Sequence, residues 1–284
     1  MSYSSIVSPQ ILLQHFADPD WLLIDARFNL SDPDWGQREY EASHIPFSQY
    51  AHLNHELSSE IVPGKTGRHP LPCVHDFAKK MAQWGITKNH QLVIYDQREG
   101  MFAARLWWML RWCGLDRVAV LDGGWTGWLA EGGEVSATVI ERDRAAMDVV
   151  EDRSMCIDAQ AVLENIDTGT YRLIDARAED RFRGENETID VKAGHIPGAV
   201  SSPFLNNVDA QGRFLSVEKL RAHYEDILQG KRSEQAIVYC GSGVTAAHNI
   251  LAMYHAGLGM AKLYPGSWSE WITENERPIA VGLD

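Results

Sequence analysis

One cysteine in this chain stands where its neighbours could turn a thiol into a nucleophile. Cys240 directly follows the apolar run 236–239 and precedes Gly241-Ser242-Gly243-Val244-Thr245, where a helical pattern begins. Glycines let the backbone turn sharply, so that its N–H groups can point inward at an anion. The start of the helix adds a partial positive charge. The loop 241–245 therefore favours a thiolate at Cys240, and it would also hold an anion bonded to the sulfur.

The other three cysteines lack this setting. Cys113 falls in an apolar helical pattern, Cys73 follows two prolines, and Cys156 stands near a charged stretch. No two cysteines form a C-x-x-C pair, so the spacing indicates neither a zinc site nor a disulfide framework. We expect no metal and no organic cofactor. The alternative for Cys240 is a buried structural thiol, which is the common role of a lone cysteine.

The elements that must position Cys240 follow from alternating strand and helix patterns. The apolar runs Leu173–Ile174, Ala236–Tyr239 and Lys262–Tyr264 predict short strands, and Thr245–Ala256 predicts a helix. Strands that alternate with helices give a parallel sheet, whose carboxyl edge is where ligands bind. We therefore predict an α/β fold with the cysteine at that edge.

The chain contains this pattern twice. Four segments recur in the same order, at offsets of 143 to 151 positions. They are Asp25-Ala26-Arg27 with Asp175-Ala176-Arg177, His44-Ile45-Pro46 with His195-Ile196-Pro197, Leu92–Asp96 with Ala236–Cys240, and Trp125-x-x-Trp128 with Trp268-x-x-Trp271. A unit of this length is too long for a solenoid repeat. We predict two tandem domains, 1–135 and 154–284, joined by the charged linker 136–153.

Composition excludes several classes of protein. The 284 residues are 45% hydrophobic and 23% charged, which is typical of globular domains rather than of disordered chains. A net charge of −13 disfavours binding to nucleic acid or to an anionic membrane. The N-terminus has no basic region, and its apolar run Ile11–Leu13 is too short for a signal peptide. We expect a cytoplasmic protein with no membrane or nucleic-acid partner.

The motifs together resemble those of the tandem-domain rhodanese family. The resemblance rests on the recurring Asp-Ala-Arg and His-Ile-Pro motifs, the Cys240–Thr245 loop, and the segment Pro265-Gly266-Ser267-Trp268-Ser269-Glu270-Trp271. It implies two rhodanese-like domains, each a parallel sheet flanked by helices, of which the C-terminal one is catalytic. The N-terminal domain carries Asp96 in place of the cysteine. It also implies sulfur transfer through a persulfide on Cys240, from a small-molecule donor to a thiol, cyanide or thioredoxin-like acceptor.

The donor can be narrowed by the same resemblance. The Cys-Gly-Ser-Gly-Val-Thr loop is similar to that of 3-mercaptopyruvate sulfurtransferases, in which two arginines clamp the substrate carboxylate. The first matches Arg181, in Arg181-Phe182-Arg183-Gly184, but the second position holds Asp190. Arg183 or Lys192 could substitute. We expect Arg181 and Arg183 to bind the donor, with 3-mercaptopyruvate preferred and thiosulfate as the alternative. A solvated surface charge is the other interpretation of Arg181.

A second implied feature is an array of serine, histidine and aspartate. The resemblance matches Ser242 to the serine and His44 to the histidine, with Asp34 or Asp32 as the acid. A histidine can orient or deprotonate a hydroxyl. Because His195 recurs at the equivalent place in the second half, a structural role for His44 is the alternative.

Two other functions remain to be weighed. A cysteine phosphatase needs an arginine six positions after the cysteine, but Ala246 stands there. A persulfide relay that serves a partner protein is compatible with the same cysteine loop. Detection of one added sulfur on Cys240, with or without small-molecule turnover, would separate the relay from the enzyme.

Overall fold

The short apolar runs become the strands of two parallel sheets. The computed structural model describes residues 2–145 and 148–282, and these form two compact units. The first comprises the described residues of 1–59, 71–152 and 208–214. The second comprises residues 60–70, 153–207 and the described residues of 215–284.

The first unit alternates strands with helices along the chain. Its strands are β1 (Ile6–Val7), β2 (Trp21–Asp25), β3 (Gln49–Tyr50), β4 (Gln91–Tyr95) and β5 (Val118–Leu121). Its helices are α1 (Pro9–Leu12), α2 (Trp35–Ala42), α3 (Val74–Gln83), α4 (Met101–Trp112) and α5 (Gly124–Ala130). The strands form one parallel sheet in the order β1-β5-β4-β2-β3. The central strands β2 and β4 are buried throughout, as strands covered on both faces must be.

The second unit repeats this plan. Its strands are β6 (Arg172–Asp175), β7 (Val200–Ser201), β8 (Ala236–Tyr239) and β9 (Lys262–Leu263). Its helices are α6 (Ala159–Thr168), α7 (Glu179–Arg183), α8 (Val217–Leu228), α9 (Thr245–His255) and α10 (Ser267–Trp271). The sheet order β7-β6-β8-β9 is again parallel. The duplicated segments keep one register, since Asp175 pairs with Tyr239 in the second sheet as Asp25 pairs with Tyr95 in the first.

The recurring Asp-Ala-Arg motif is structural in both units. Arg177 is buried, and its Nε and Nη2 donate to the Asp175 carboxylate at 2.6 to 3.1 Å. The Arg177 guanidinium also donates to the Gly194 carbonyl at 2.7 Å and lies 4.8 Å from the Trp268 ring centroid. Such a satisfied ion pair ties the end of β6 to the segment before His195.

Each unit holds one segment from the other half of the sequence. Residues Glu60–Pro70 belong by their contacts to the second unit, and Val208–Phe214 belong to the first. Gly67 allows a close approach, because a Cβ there would lie only 2.5 Å from the Gly266 carbonyl oxygen. The duplicated pattern alone does not predict this exchange, which brings residues 60–70 to the unit that contains Cys240.

The stretch expected to be a linker, 136–153, is attached to the first unit for most of its length. Ser136 forms an isolated bridge with His44, the Ile140 carbonyl accepts from Gln49, and the Asp152 N–H donates to Trp112. Ala146 and Met147 lie outside the described residues. Within the described part of the chain, no helix has the length and apolar character needed to cross a membrane.

Candidate active site

Cys240 lies at the carboxyl edge of the second sheet, immediately after β8 and before α9. The thiol is 2% exposed and lies among the buried residues of the loop. The backbone N–H groups of Ser242 and Gly243 donate to its Sγ at 3.4 and 3.1 Å. Gly243 has a φ of +77°, a conformation that a residue with a Cβ rarely adopts. The sulfur therefore faces two N–H donors that stabilise negative charge on it.

The turn between β9 and α10 holds the backbone of Cys240 in place. The Cys240 N–H donates to Ser267 Oγ at 3.1 Å, and the Ser267 hydroxyl donates to the Tyr264 carbonyl at 2.9 Å. Ser267 has a φ of +55° and is fully buried, so the fold holds a non-glycine residue in the left-handed region here. The Trp268 N–H completes the support by donating to the Cys240 carbonyl at 2.9 Å.

Ser242 is hydrogen-bonded to a histidine that sequence reasoning did not select. His69 Nδ1 lies 2.8 Å from Ser242 Oγ, and both side chains are buried. His69 belongs to the segment Glu60–Pro70 that packs with the second unit. The pair can orient the serine hydroxyl and pass a proton along the hydrogen bond. The recurrence of Gly67-Arg68 as Gly212-Arg213 is the sequence signal that could have drawn attention to this segment.

His44, which the resemblance matches to the histidine of the array, has hydrogen-bond partners within its own unit. The ring nitrogens of His44 are bonded to backbone carbonyls of its own unit, Nδ1 to Tyr40 at 2.5 Å and Nε2 to Thr138 at 3.2 Å. Its ring stacks on Tyr40 at 4.2 Å, and His195 stacks on Phe182 in the same way at 3.7 Å. These contacts favour a structural role for the recurring histidine.

The candidate acids for that array have other places. Asp34 is exposed at the start of α2, where its side chain makes no capping bond. Asp32 forms an ion pair with Arg38 on the surface. The role of Asp34 or Asp32 as the acid of the array stays a prediction.

Arg181 lies beside the cysteine loop, held by two acids. Its Nε donates to both oxygens of Glu187 at 3.1 and 3.0 Å, and its Nη2 donates to Asp190 at 3.0 Å. A Cβ on Gly241 would lie 3.7 Å from Nη2 and 3.8 Å from Nη1 of Arg181. The guanidinium is therefore close to the backbone that carries Cys240, as a substrate-binding role requires.

A second guanidinium lies at the same glycine. Nη2 of Arg68 would be 2.6 Å from a Cβ on Gly241, so a side chain there would displace the end of the arginine. Nη1 of Arg68 forms an ion pair with Asp190 Oδ1. Asp190 thus bridges Arg68 and Arg181, one on each carboxylate oxygen.

The expected substitutes for a second clamp residue lie elsewhere. Arg183 is paired with Glu179 and Glu185 on α7 and the turn after it, at 3.1 and 2.9 Å. Lys192 is half-buried, and its Nζ donates to Asn275 Oδ1 at 2.9 Å. The expectation that Arg183 stands in for the missing arginine stays a prediction, and the guanidinium found beside Gly241 together with that of Arg181 belongs to Arg68.

In the first unit, the loop equivalent to Cys240–Thr245 is filled by the carboxylate of Asp96. Asp96 is buried, and its oxygens accept four backbone N–H bonds, from Arg98, Gly100, Phe102 and Ala103, at 2.8 to 3.3 Å. The loop that would cradle an anionic sulfur cradles the aspartate side chain instead. The first unit thus keeps the shape of the site without a nucleophile.

The remaining cysteines show no comparable cradle among the described contacts. Cys73 is exposed at the start of α3, and Cys156 forms an isolated bridge with Leu263. Cys113 is buried at the end of α4, where burial and the charge of Glu151 raise the pKa of its thiol to about 12. A thiol with so high a pKa is a poor nucleophile at neutral pH.

Comparisons with known proteins agree with this geometry. The rhodanese-like domain family matches the chain twice, over residues 8–131 and 158–274. The protein of Pseudomonas aeruginosa named "Probable 3-mercaptopyruvate sulfurtransferase" is 42% identical over 283 residues, which is 99% of this chain and 100% of that protein. The thiosulfate sulfurtransferase of Bos taurus is 31% identical over 278 residues, covering 95% and 92% of the two chains.

Solved structures show the same architecture. SseA from Escherichia coli, described as a 3-mercaptopyruvate sulfotransferase, superposes with a TM-score of 0.82 at 31% identity, over 94% of this chain and all of that one. The 3-mercaptopyruvate sulfurtransferase from Leishmania major gives a TM-score of 0.86 at 29% identity, over 97% of this chain and 76% of that one.

The two parallel α/β units are therefore rhodanese-like domains, as the motifs predicted. The chain belongs to the rhodanese family, and it is a sulfurtransferase that takes a sulfur donor and an acceptor as substrates. The predictions of fold class, family and reaction class are confirmed.

Proposed function

We propose that the second unit is the catalytic domain and that Cys240 carries the sulfur as a persulfide. The observation that carries this proposal is the pair of backbone N–H groups, from Ser242 and Gly243, that donate to Cys240 Sγ. The same donors can stabilise the thiolate before transfer and the outer sulfur after it. Val244 and Thr245 complete the loop as the N-terminal end of α9, whose dipole adds to the effect.

The donor that we propose is 3-mercaptopyruvate. The Cys240 thiolate attacks the thiol sulfur of the donor, and an S–S bond forms as the C–S bond breaks. The electron pair of the broken bond goes to the methylene carbon, which takes the proton of the donor thiol. The products are the Cys240 persulfide anion and pyruvate, so atoms and charge balance.

Three observations support this donor over thiosulfate. The residues directly after Cys240 are the neutral Gly241 and Ser242, which stabilise a dianion less than a cation there would. Arg181 stands beside Gly241, where it can bind a carboxylate, but Glu187 and Asp190 offset its charge. The 42% identical relative is also named for 3-mercaptopyruvate.

We assign Ser242 and His69 to proton movement. The route through 3-mercaptopyruvate requires a proton to pass from the donor thiol to the developing carbanion. A serine hydroxyl bonded to a histidine at 2.8 Å can carry that proton by accepting it on one side and giving it up on the other. Thiosulfate needs no such transfer, since sulfite leaves with its electron pair and no proton.

Thiosulfate is the second candidate donor. The thiosulfate sulfurtransferase of Bos taurus is 31% identical across nearly the whole chain, and a site with guanidinium groups also suits an oxyanion of sulfur. For the acceptor we propose a small thiol, cyanide or a thioredoxin-like protein. We also propose a cytoplasmic location, because all four cysteines are free and the chemistry needs a reduced thiol.

The test is steady-state kinetics with both donors on one preparation, with Cys240→Ser and the matched variant Cys73→Ser. The proposal predicts a higher kcat/KM with 3-mercaptopyruvate, no turnover in Cys240→Ser and full turnover in Cys73→Ser. A higher kcat/KM with thiosulfate would overturn the donor and leave the persulfide. Persulfide formation without turnover of any small acceptor would favour the relay function instead.

A further inference from the structure

We propose that Arg68 is the second donor-binding arginine of the site and that Asp190 positions both Arg68 and Arg181. This inference rests on the proposed function, because it concerns the anionic group of the same donor. The position nine residues after Arg181 holds an acid instead of a second arginine. The cation reaches the site from a distant part of the sequence.

The first argument is the location of the guanidinium. Nη2 of Arg68 and both Nη atoms of Arg181 lie around the same point, the Cβ position of Gly241, at 2.6, 3.7 and 3.8 Å. Gly241 is the residue next to Cys240. Two guanidiniums at one point on the reactive loop form a fork that suits the two oxygens of a carboxylate.

The second argument is the way Asp190 shares its oxygens. Oδ1 accepts from Nη1 of Arg68, and Oδ2 accepts from Nη2 of Arg181. Asp190 is 4% exposed in its side chain, whereas Arg68 is 31% and Arg181 16% exposed. The acid therefore lies behind the two cations, which stay accessible to a ligand.

The third argument is that the backbone of Arg68 is fixed on both sides. The Arg68 N–H donates to Ser269 Oγ at 3.0 Å, and Gly67 packs directly against the Gly266 carbonyl. The next residue, His69, is bonded to Ser242 at 2.8 Å. One short segment thus delivers both a cation and the serine partner to the loop, so Arg68 is held in place before any ligand arrives.

The charge of the cluster indicates the class of ligand. Arg68 and Arg181 face the carboxylates of Asp190 and Glu187. Arg177, a third guanidinium that contacts Glu187, is itself paired with Asp175, so the cluster as a whole is neutral. A neutral cluster with forward-facing donors suits a monoanionic carboxylate better than a dianion, since a dianion would be left with uncompensated charge. This charge favours a monoanionic carboxylate, the class to which the proposed donor 3-mercaptopyruvate and its product pyruvate belong.

The test measures binding separately from chemistry. Pyruvate is the probe, and its Kd is measured by calorimetry on Cys240→Ser protein, which retains the cluster. Removing Arg68 with Arg68→Ala in this background should weaken pyruvate binding by roughly 10- to 100-fold, the loss of a charge-assisted hydrogen bond. Arg68→Lys keeps the charge but not the fork, so it should lose less. If Arg68→Ala does not fold, the Arg68→Lys result decides, and an unchanged Kd there overturns the proposal.

Matched variants locate the effect. Arg232 is an exposed arginine of the same unit, and Arg232→Ala should leave the Kd for pyruvate unchanged. Arg183→Ala tests the rival arginine; a loss of binding there, with none in Arg68→Ala, overturns the proposal. In the enzyme with Cys240, Arg68→Ala should raise KM for 3-mercaptopyruvate by a similar factor and change kcat little.

The positioning role of Asp190 is tested by a quantity that the loss of a purely structural residue would not change selectively, namely KM relative to kcat. Asp190→Ala should raise KM for 3-mercaptopyruvate with little change in kcat, while Asp190→Glu should recover part of the loss. Equal loss of kcat and affinity, with a lower melting temperature and no recovery in Asp190→Glu, would contradict the positioning role. If the wild-type enzyme does not turn over 3-mercaptopyruvate, the proposed function fails. The Arg68 proposal is judged separately, by whether the Kd for pyruvate depends on Arg68.

Discussion

Ser242 Oγ lies 2.8 Å from Nδ1 of His69, a residue 173 positions earlier in the chain. Both side chains are buried. Ser242 comes two residues after Cys240, and His69 lies on the exchanged segment Glu60–Pro70. The serine N–H also donates to the reactive sulfur. Ser242 is thus bonded to His69 through its side chain and to the Cys240 thiol through its backbone N–H.

The first prediction concerns this pair. Ser242→Ala and His69→Gln should each lower kcat with 3-mercaptopyruvate by roughly 10²- to 10³-fold, because the proton needed at the methylene carbon loses its carrier. With thiosulfate the same variants should lose much less, since sulfite leaves without a proton. Initial rates with the two donors at saturation give the comparison.

The matched control for His69 is His75→Gln, on α3 in the other unit. It should leave both rates unchanged. Equal losses with the two donors in the His69 variant would contradict a role in proton movement and indicate that the pair only holds the loop.

The second prediction concerns the charge on Asp190. Asp190→Asn keeps the volume but adds one net positive charge to a cluster that is neutral in the native protein. The ratio of kcat/KM for thiosulfate to that for 3-mercaptopyruvate should rise roughly tenfold, because a dianion gains more from the added charge. Glu179→Gln removes a surface carboxylate and should leave the ratio unchanged. A ratio that stays constant in Asp190→Asn would show that cluster charge does not select the donor.

Much of the fold was accessible from the sequence because its signals are local. The apolar run at 236–239 is a strand with the predicted bounds, and the helix predicted from Thr245 begins there. The duplicated motifs predict two similar units from the sequence alone. Cys240 could be singled out because the strand, the glycine turn and the helix that surround it are all adjacent in sequence.

The rest of the site could not be predicted because it depends on contacts between distant segments. Arg68 and His69 reach the loop through the exchanged segment 60–70, and no periodicity encodes where such a segment packs. The sequence shows Asp190 only as an acid where a second clamp arginine is expected. Its ion pairs with Arg68 and Arg181 become visible only in the folded structure. His44 occupied the expected motif, yet its ring nitrogens are bonded to carbonyls of its own unit.

The third prediction tests the closed loop of the first unit. Asp96→Ala removes the acceptor of four backbone N–H bonds, three of them buried, so the first unit should lose roughly 3 kcal/mol of its free energy of unfolding. Urea denaturation of the full chain measures the loss. Asp116→Ala, at a side chain that is 88% exposed, should have little effect. Equal stability of the two variants would contradict the account of Asp96 as the residue that closes this loop.

The fourth prediction is a dependence of stability on pH. Burial lowers the pKa of His255, at the end of α9, below its ordinary value of 6.5. The unfolded chain therefore binds a proton more readily than the folded one, so this contribution is complete above about pH 6.5 and is lost as pH falls through the lowered pKa. His255→Gln should flatten the fall of melting temperature on acidification, and His15→Gln, whose native ring is 40% exposed, should not. Parallel curves for wild type and His255→Gln would contradict this.

The most direct measurement is the mass of the cysteine peptides after the protein is treated with 3-mercaptopyruvate in the absence of an acceptor. The account predicts one added sulfur on the peptide that contains Cys240, removed by a thiol reductant and absent in Cys240→Ser. The exposed Cys73 serves as the internal comparison and should stay unmodified. An added sulfur on Cys73, Cys113 or Cys156, or turnover that survives in Cys240→Ser, would contradict the assignment of Cys240 as the sulfur carrier.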